Sequence, residues 1–175
     1  MKHRKKILAF IIFCATAPLF VLQAQTVGIK DSTPQATKNN FLTSDEKQLL
    51  DKINKLRIES KLPVFEVDST LTKLAREHSQ EMVELKYFDA ISPTKGTPKE
   101  RAAGIIKDYP TLAFVAKGKS TIDVFHTFLL NAQAQEILFT PNKATHVGIG
   151  IAKDSIDEIL ATFHFSNRIV EIESF

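Results

Sequence analysis

Cysteine is all but missing from this chain: of 175 residues, only Cys14 carries a thiol. A single thiol cannot close a disulfide within the chain, and it supplies no Cys-ligated zinc site. Several signatures of chemistry are missing too. There is no Gly-rich loop followed by Lys-Ser/Thr to cradle a phosphate, no Gly-x-Ser-x-Gly elbow and no His-Glu-x-x-His pair. No basic patch argues for nucleic acid. No internal repeat or second block of composition divides the chain.

What is present begins with Met-Lys-His-Arg-Lys-Lys, an apolar run from Ile7 to Leu22, and Gln23-Ala24-Gln25. A basic start, an apolar centre and a small residue before a cut read as a secretory signal peptide over residues 1–24, although Leu22 is large for its slot. The rival reading is an uncleaved anchor. Against it, the run falls short of the ~20 apolar residues a spanning helix needs, and Pro18 interrupts it. A lipoprotein reading would acylate Cys14, but Phe13 before it is too bulky. Cleavage removes Lys2, Arg4, Lys5 and Lys6, taking the formal charge from +3 to −1. It also removes Cys14. The exported product is then thiol-free, with no stable membrane span, and is held together by packing.

Residues 25–42 are polar and aperiodic and read as a flexible leader; residues 43–175 form the domain. Thr43-Ser-Asp-Glu46 is a capping box, and a helix follows to about Ser60 with Leu49, Ile53 and Leu56 on one stripe. Pro63 blocks its continuation. Asp68 or Ser69 caps a second helix, to about Lys86, with Leu71, Leu74, Ala75, His78, Met82 and Leu85 at helical spacing. Thr97-Pro-Lys-Glu100 opens a short helix ending near Gly104. Residues 111–116 are apolar and irregular. Ser120 and Asp123 start another helix, to about Leu130. Strand-like alternation then occupies 146–152, 158–165 and 168–173, with turns at 154–157 and 166–167. Helices first and a meander last predict an α+β fold, with helices packed on an antiparallel sheet.

Six segments, in order, resemble the bacterial CAP domain, the superfamily of plant pathogenesis-related proteins, venom allergens and sperm-coating (SCP-like) proteins. They are Ile53-Asn-Lys-Leu-Arg57, Leu71 to Met82, Tyr87-Phe-Asp-Ala-Ile-Ser-Pro93, Arg101 with Gly104, His146-Val-Gly-Ile-Gly-Ile151, and Ala161-Thr-Phe-His-Phe165. The resemblance covers about two-thirds of the chain. It implies an α-β-α sandwich with a cleft that in the family is lined by two histidines and one or two acidic residues, often able to hold zinc.

Here the resemblance puts alanines in those slots. The first histidine falls on Ala90, pinned by Ser92-Pro93. The glutamate falls near Ala113 and the second histidine near Ala134. A second acidic position falls near Asn131. Zinc needs three or four N, O or S donors at ~2.0–2.3 Å, which a methyl group cannot provide. No cofactor is therefore expected.

The remaining polar residues allow two readings each. His78 lies on an apolar stripe and reads as a core histidine bonded to a carbonyl, rather than as a ligand. Glu77, Glu81 and Glu84 read as a solvated face. Asp89 and Ser92 either contact something in the cleft or shape the turn. His126 could serve a ligand or pack. His146 and His164 could face each other across a strand pair. Gly148 and Gly150 mark a close backbone approach. The cleft candidates are thus Asp89, Ala90, Ser92, Ala113, His126, Asn131 and Ala134. With Phe88, Phe114 and Phe128 nearby, the cleft suits an acyl chain or other apolar ligand, or is filled by its own rings. The expected protein is an exported, non-catalytic binding or scaffold module. Its partner is a lipid, another apolar small molecule, an envelope component or an envelope protein. The alternatives are a metal-dependent enzyme rebuilt on His126, His146 and His164, and a structural envelope protein with no ligand.

Overall fold

The computed structural model describes residues 41–103, 105 and 111–167. The expected signal peptide, most of the leader, Gly104 and the strand expected at 168–173 lie outside the described residues. Helix α1 spans Ser44–Glu59 behind a reciprocal cap, in which Glu46 N–H donates to Thr43 Oγ1 and Thr43 N–H donates to Glu46 Oε2 at 2.8 Å. Its buried stripe is Leu49, Leu50 and Ile53. Strand β1 is short, Glu66–Val67, and leads through the N-cap Asp68 into α2, Ser69–Glu84. The cap's Oδ1 accepts from Thr70 and Leu71 N–H at 2.7 and 2.9 Å, satisfying amides that a helix start leaves open. Helix α3, Pro98–Ala102, has proline in its first turn and a second capping box from Thr97 and Glu100.

Residues 111–116, read from sequence as irregular, are part of strand β2, Thr111–Gly118. Alanines at 113 and 116 gave it weak strand propensity, and burial on both faces removed the polar alternation. After α4, Thr121–Leu129, comes a helix that the sequence reading did not anticipate: α5, Ala132–Phe139. Asn131 is its N-cap. Strands β3, His146–Lys153, and β4, Ile159–Ser166, then form the expected hairpin.

The sheet order is β1-β3-β4-β2. β4 is antiparallel to both β2 and β3, whereas β1 runs parallel to β3. The sheet is therefore mixed, not purely antiparallel, because β1 enters one edge directly ahead of α2 instead of arriving through a hairpin.

The two faces are packed differently. Gly148 and Gly150 let α2 settle on one of them: a Cβ built on Gly148 would lie 2.1 Å from the Leu71 carbonyl carbon, and one on Gly150 would lie 2.1 Å from Arg76 N. Ser79 Oγ fixes the register by donating to Gly150 O, 2.9 Å, beside Thr162 Oγ1. On the opposite face, α1, α4 and α5 share a core with Val147, Ile149, Phe114, Phe163 and Phe165. Phe128 of α4 stacks on Phe163 with centroids 4.3 Å apart, and each such ring contributes on the order of 2–3 kcal/mol by leaving water. Arg57 is buried beneath this layer. It donates to Pro63 O and to the α5 carbonyls of Ile137 and Leu138, and its guanidinium lies 3.8 Å from the Phe65 centroid. The architecture is an α-β-α sandwich.

Candidate functional site

A groove of about 930 Å³ runs beside β2. One wall is the α2–α3 loop and α3, through Ala90, Thr97, Lys99 and Ala102; the other is α5, through Gln133, Glu136 and Ile137. Its floor is Thr111, Leu112, Ala113 and Phe114. Ala90 and Ala113, distant in sequence, therefore face one hollow. Its rim carries Lys143, which donates to Glu136 at 2.8 Å, and the exposed Lys99.

Behind the Ala90 wall lies a buried polar cluster. Helix α2 carries both His78 and Glu81 inward, one turn apart. His78 Nε2–H donates to Asp89 O at 2.8 Å, the core role its periodicity predicts. Glu81 is a correction: it is 8 % exposed and belongs to no solvated face. Its carboxylate accepts from Tyr87 OH at 2.8 Å, Ser92 Oγ at 2.9 Å and Thr94 Oγ1. Burial pushes such a group up, but the Thr94, Ser92 and Tyr87 hydroxyls outweigh it and hold Glu81 down at about 2. Tyr87 is pushed up to about 12, by burial and by its bond to Glu81. Burial, then the Arg101 guanidinium, depresses His78, so its approach to Glu81 is not an ion pair at neutral pH.

Arg101 ties the cluster to the groove. It donates to Ala90 O at 2.8 Å and Gly96 O at 2.9 Å, and its Nη2 lies 3.4 Å from His164 Nε2. His164 is fully buried, and burial, with Arg101 second, pushes it down to about 3. Among the described residues, its Nδ1, Arg101 Nε and Ser166 Oγ find no hydrogen-bond partner.

The other candidates do not converge on the groove. Asp89 is exposed and closes a turn by accepting from Ile91 N–H at 2.7 Å. Ser92 is buried and accepts from Lys95 N–H at 2.8 Å while donating to Glu81, so its oxygen is used within the loop. Asn131 caps α5 by accepting from Gln133 and Ala134 N–H at 2.9 and 3.1 Å. Ala134 is a correction. It is 0 % exposed and lies in the core, because the helical turn points it inward; its neighbour Gln133 holds the groove position on α5. Phe128 is likewise core, and Phe88 lies outside, beneath Lys117 Nζ at 5.2 Å.

The three histidines proposed for a rebuilt metal site stay apart. His126 is exposed on α4, on the sheet face opposite His164. The register pairs His146 with Ser166 and His164 with Gly148, so the two histidines are diagonal neighbours rather than opposed. Among the described residues, no three His, Cys, Asp or Glu side chains group to hold a metal ion. Among the described residues lining the groove, the one carboxylate, Glu136, is already paired with Lys143. This donor set does not fit the family's zinc.

The profile of the CAP, or cysteine-rich secretory protein, family matches residues 50–165. The chain belongs to this family. A Bacillus subtilis CAP relative, the uncharacterized protein YkwD, is 33% identical over 124 residues, covering 66% of this chain and 48% of its own length. The uncharacterized membrane protein YlbC of the same organism is 27% identical over 62% of the chain and 32% of its own length. The chain thus spans less than half of either relative. Among solved structures, an outer surface protein of Borrelia burgdorferi superposes with a TM-score of 0.64 at 23% identity, over 71% of this chain and 93% of that one. An extracellular SCP-domain protein of Bacillus anthracis gives 0.63 at 22% identity, over 71% and 40%. At these identities the two structures share the CAP fold with this chain. No helix among its described residues is long and apolar enough to cross a membrane.

The sequence reading missed the Glu81 cluster, Gln133 and the Lys143–Glu136 rim. Asn131 followed six residues later by Ile137-Leu138 was a legible helix start and would have exposed Gln133.

Proposed function

We propose that this CAP protein is an exported binding module that takes an apolar ligand in the β2 groove without catalysing its turnover. The carrying observation is that Ala90 and Ala113 face the same hollow with Ala102, Phe114 and Ile137, and that the charged side chains among its described lining residues, Lys99, Lys143 and Glu136, stand at its rim. A groove floored by methyl groups and one ring, with charge confined to the rim, favours a ligand with an apolar body. General acid–base work needs a titratable group within reach of the reacting atom; Glu81, His78 and His164 all lie behind the wall, already bonded or screened. The two structural neighbours, an outer surface protein and an extracellular protein, support export. The experiment is saturable binding of a fluorescent long-chain fatty acid to the mature protein, with native mass spectrometry after exposure to envelope lipids. Metal content is measured in parallel. Saturable binding that competes with the co-purifying molecule, at sub-stoichiometric metal, supports the reading. No saturable binding and no co-purifying molecule reduces the protein to a structural element. Stoichiometric zinc lost on His126→Ala restores the enzyme alternative.

A further inference from the structure

The sheet has two edges, and they are treated differently. At the first, β1 adds only Glu66 and Val67 to β3, in parallel. Asp68 N–H donates to Val147 O at 3.0 Å, so the odd-numbered residues of β3 turn their backbone groups toward β1. Its even-numbered residues therefore bond to β4. Through the pairs His146–Ser166 and Gly148–His164, the even residues of β4 are consumed by β3. That leaves the odd residues of β4 to bond to β2, which their register matches to Leu112, Phe114 and Ala116. By elimination, Ala113, Val115 and Lys117 point their N–H and C=O away from the sheet. An independent contact agrees: Thr127 Oγ1 donates to Lys117 O at 3.0 Å from α4, outside the ladder.

Lys117 is thus covered. Among the described residues, no hydrogen bond reaches the outward groups of Ala113 or Val115. Natural edge strands of this length are usually blunted or covered, because bare amides and carbonyls template another strand. Here the groove explains the opening. Its floor includes Ala113 and Phe114, which lie on opposite faces of β2, so it follows the strand's edge rather than one face.

We infer that the β2 edge, at Ala113 and Val115, pairs with an extended polypeptide segment of a partner protein. This rests on reading the groove as a binding site and specifies its occupant. Backbone donors and acceptors in a row are satisfied by another backbone, whereas an acyl chain would leave them unpaired. The scale is one the fold already uses, since β1 holds the opposite edge with two residues. Side chains of α3 and of α5 wall the edge on either side. The docked strand's side chains would alternate between the small-residue wall of Ala90 and Ala102 and the larger wall of Ile137. Lys99, with no ion pair among the described residues, favours a carboxylate on the segment at that end.

The test is selection of phage-displayed random peptides on the mature protein. Enriched peptides are remade with N-methyl groups on alternate amides, in both frames. Apolar residues at alternate positions are expected, with affinity falling about tenfold or more for one methylation frame and little for the other. Ala113→Pro should weaken the unmethylated peptide similarly, since proline removes an outward N–H but no bond to β4. If Ala113→Pro fails to fold, the methylation frames decide alone. Equal affinity in both frames overturns the inference. So does concentration-dependent dimerisation abolished by Ala113→Pro, which would assign the edge to a second copy. Saturable fatty-acid binding with no enriched peptide also overturns it, leaving the groove a small-molecule site. Absence of both binders sinks the groove reading itself.

Discussion

The polar cluster behind Ala90 and the groove in front of it share a wall but were built to opposite rules. In the cluster, Glu81, His78, Tyr87, Ser92 and Arg101 are buried or half-buried, Thr94 caps them from the exposed side, and all are bonded to one another or to backbone carbonyls. Among the described residues lining the groove, positions 90, 113 and 133 hold alanine, alanine and glutamine, none of them titratable. Removing one member of the cluster strands its partners in a medium that does not hydrate them, so its members depend on each other. Removing a groove donor strands nothing, since water enters from the open side. Stability thus ties down one set of residues and leaves the other free to change.

Substitutions and pH can break that comparison. The largest effect belongs to Arg101→Ala, which leaves Ala90 O and Gly96 O without their charged donor. It is expected to cost about 3 kcal/mol or more, read as a fall in thermal midpoint of ~10 °C. A loss below about 1 kcal/mol would mean the cluster is not a unit.

Next is the pH dependence. His164 binds its proton near 3 in the folded protein against an ordinary 6.5, so below 6.5 the unfolded chain binds more protons than the folded one. The stability from its burial is full above 6.5 and falls as pH drops from 6.5 toward 3. The slope approaches about 1.4 kcal/mol per pH unit. Glu81, near 2 against an ordinary 4.5, adds a second loss only below 4.5. Denaturant melts at intervals from pH 7 to pH 4 should therefore lose part of their upper slope, between 6.5 and 4.5, in His164→Gln, the remainder belonging to His78, which burial also depresses. An unchanged slope would show that another group carries it.

A smaller effect is expected in the groove. Ala113→Glu puts a carboxylate at the edge of the apolar floor, where water can reach it, and should cost ~1 kcal/mol of stability. It should also weaken binding of the fatty-acid probe about tenfold or more, by fluorescence titration. Unchanged binding would place the ligand elsewhere. Smallest of all, His126→Ala on the exposed side of α4 should shift stability by less than about 0.5 kcal/mol and leave probe binding intact. A large loss of binding would return His126 to the site.

Much of this was legible in the chain. The capping boxes at Thr43 and Thr97, the stripe of α2 and the glycines at 148 and 150 are local signals with local causes, and each sits where its pattern puts it. Glu81 was misread: three residues after His78 and seven after Leu74, it lies on the flank of the buried stripe, but its charge suggested a solvated face, and only the returning loop supplies the Ser92 and Thr94 hydroxyls that let it be buried. The inward turn of Ala134 was not legible: it depends on how α5 docks against Arg57 and the phenylalanine core.

The sequence by itself determined which segments coil and where they begin. Those outcomes depend on neighbours within a turn or two. Only the tertiary structure decided that Ala90 and Ala113 share a hollow, that Glu81 is enclosed, and that β2 lies at a sheet edge with two residues facing outward. Each of these is a meeting of segments far apart in the chain, set by the strand register and by which face each helix covers.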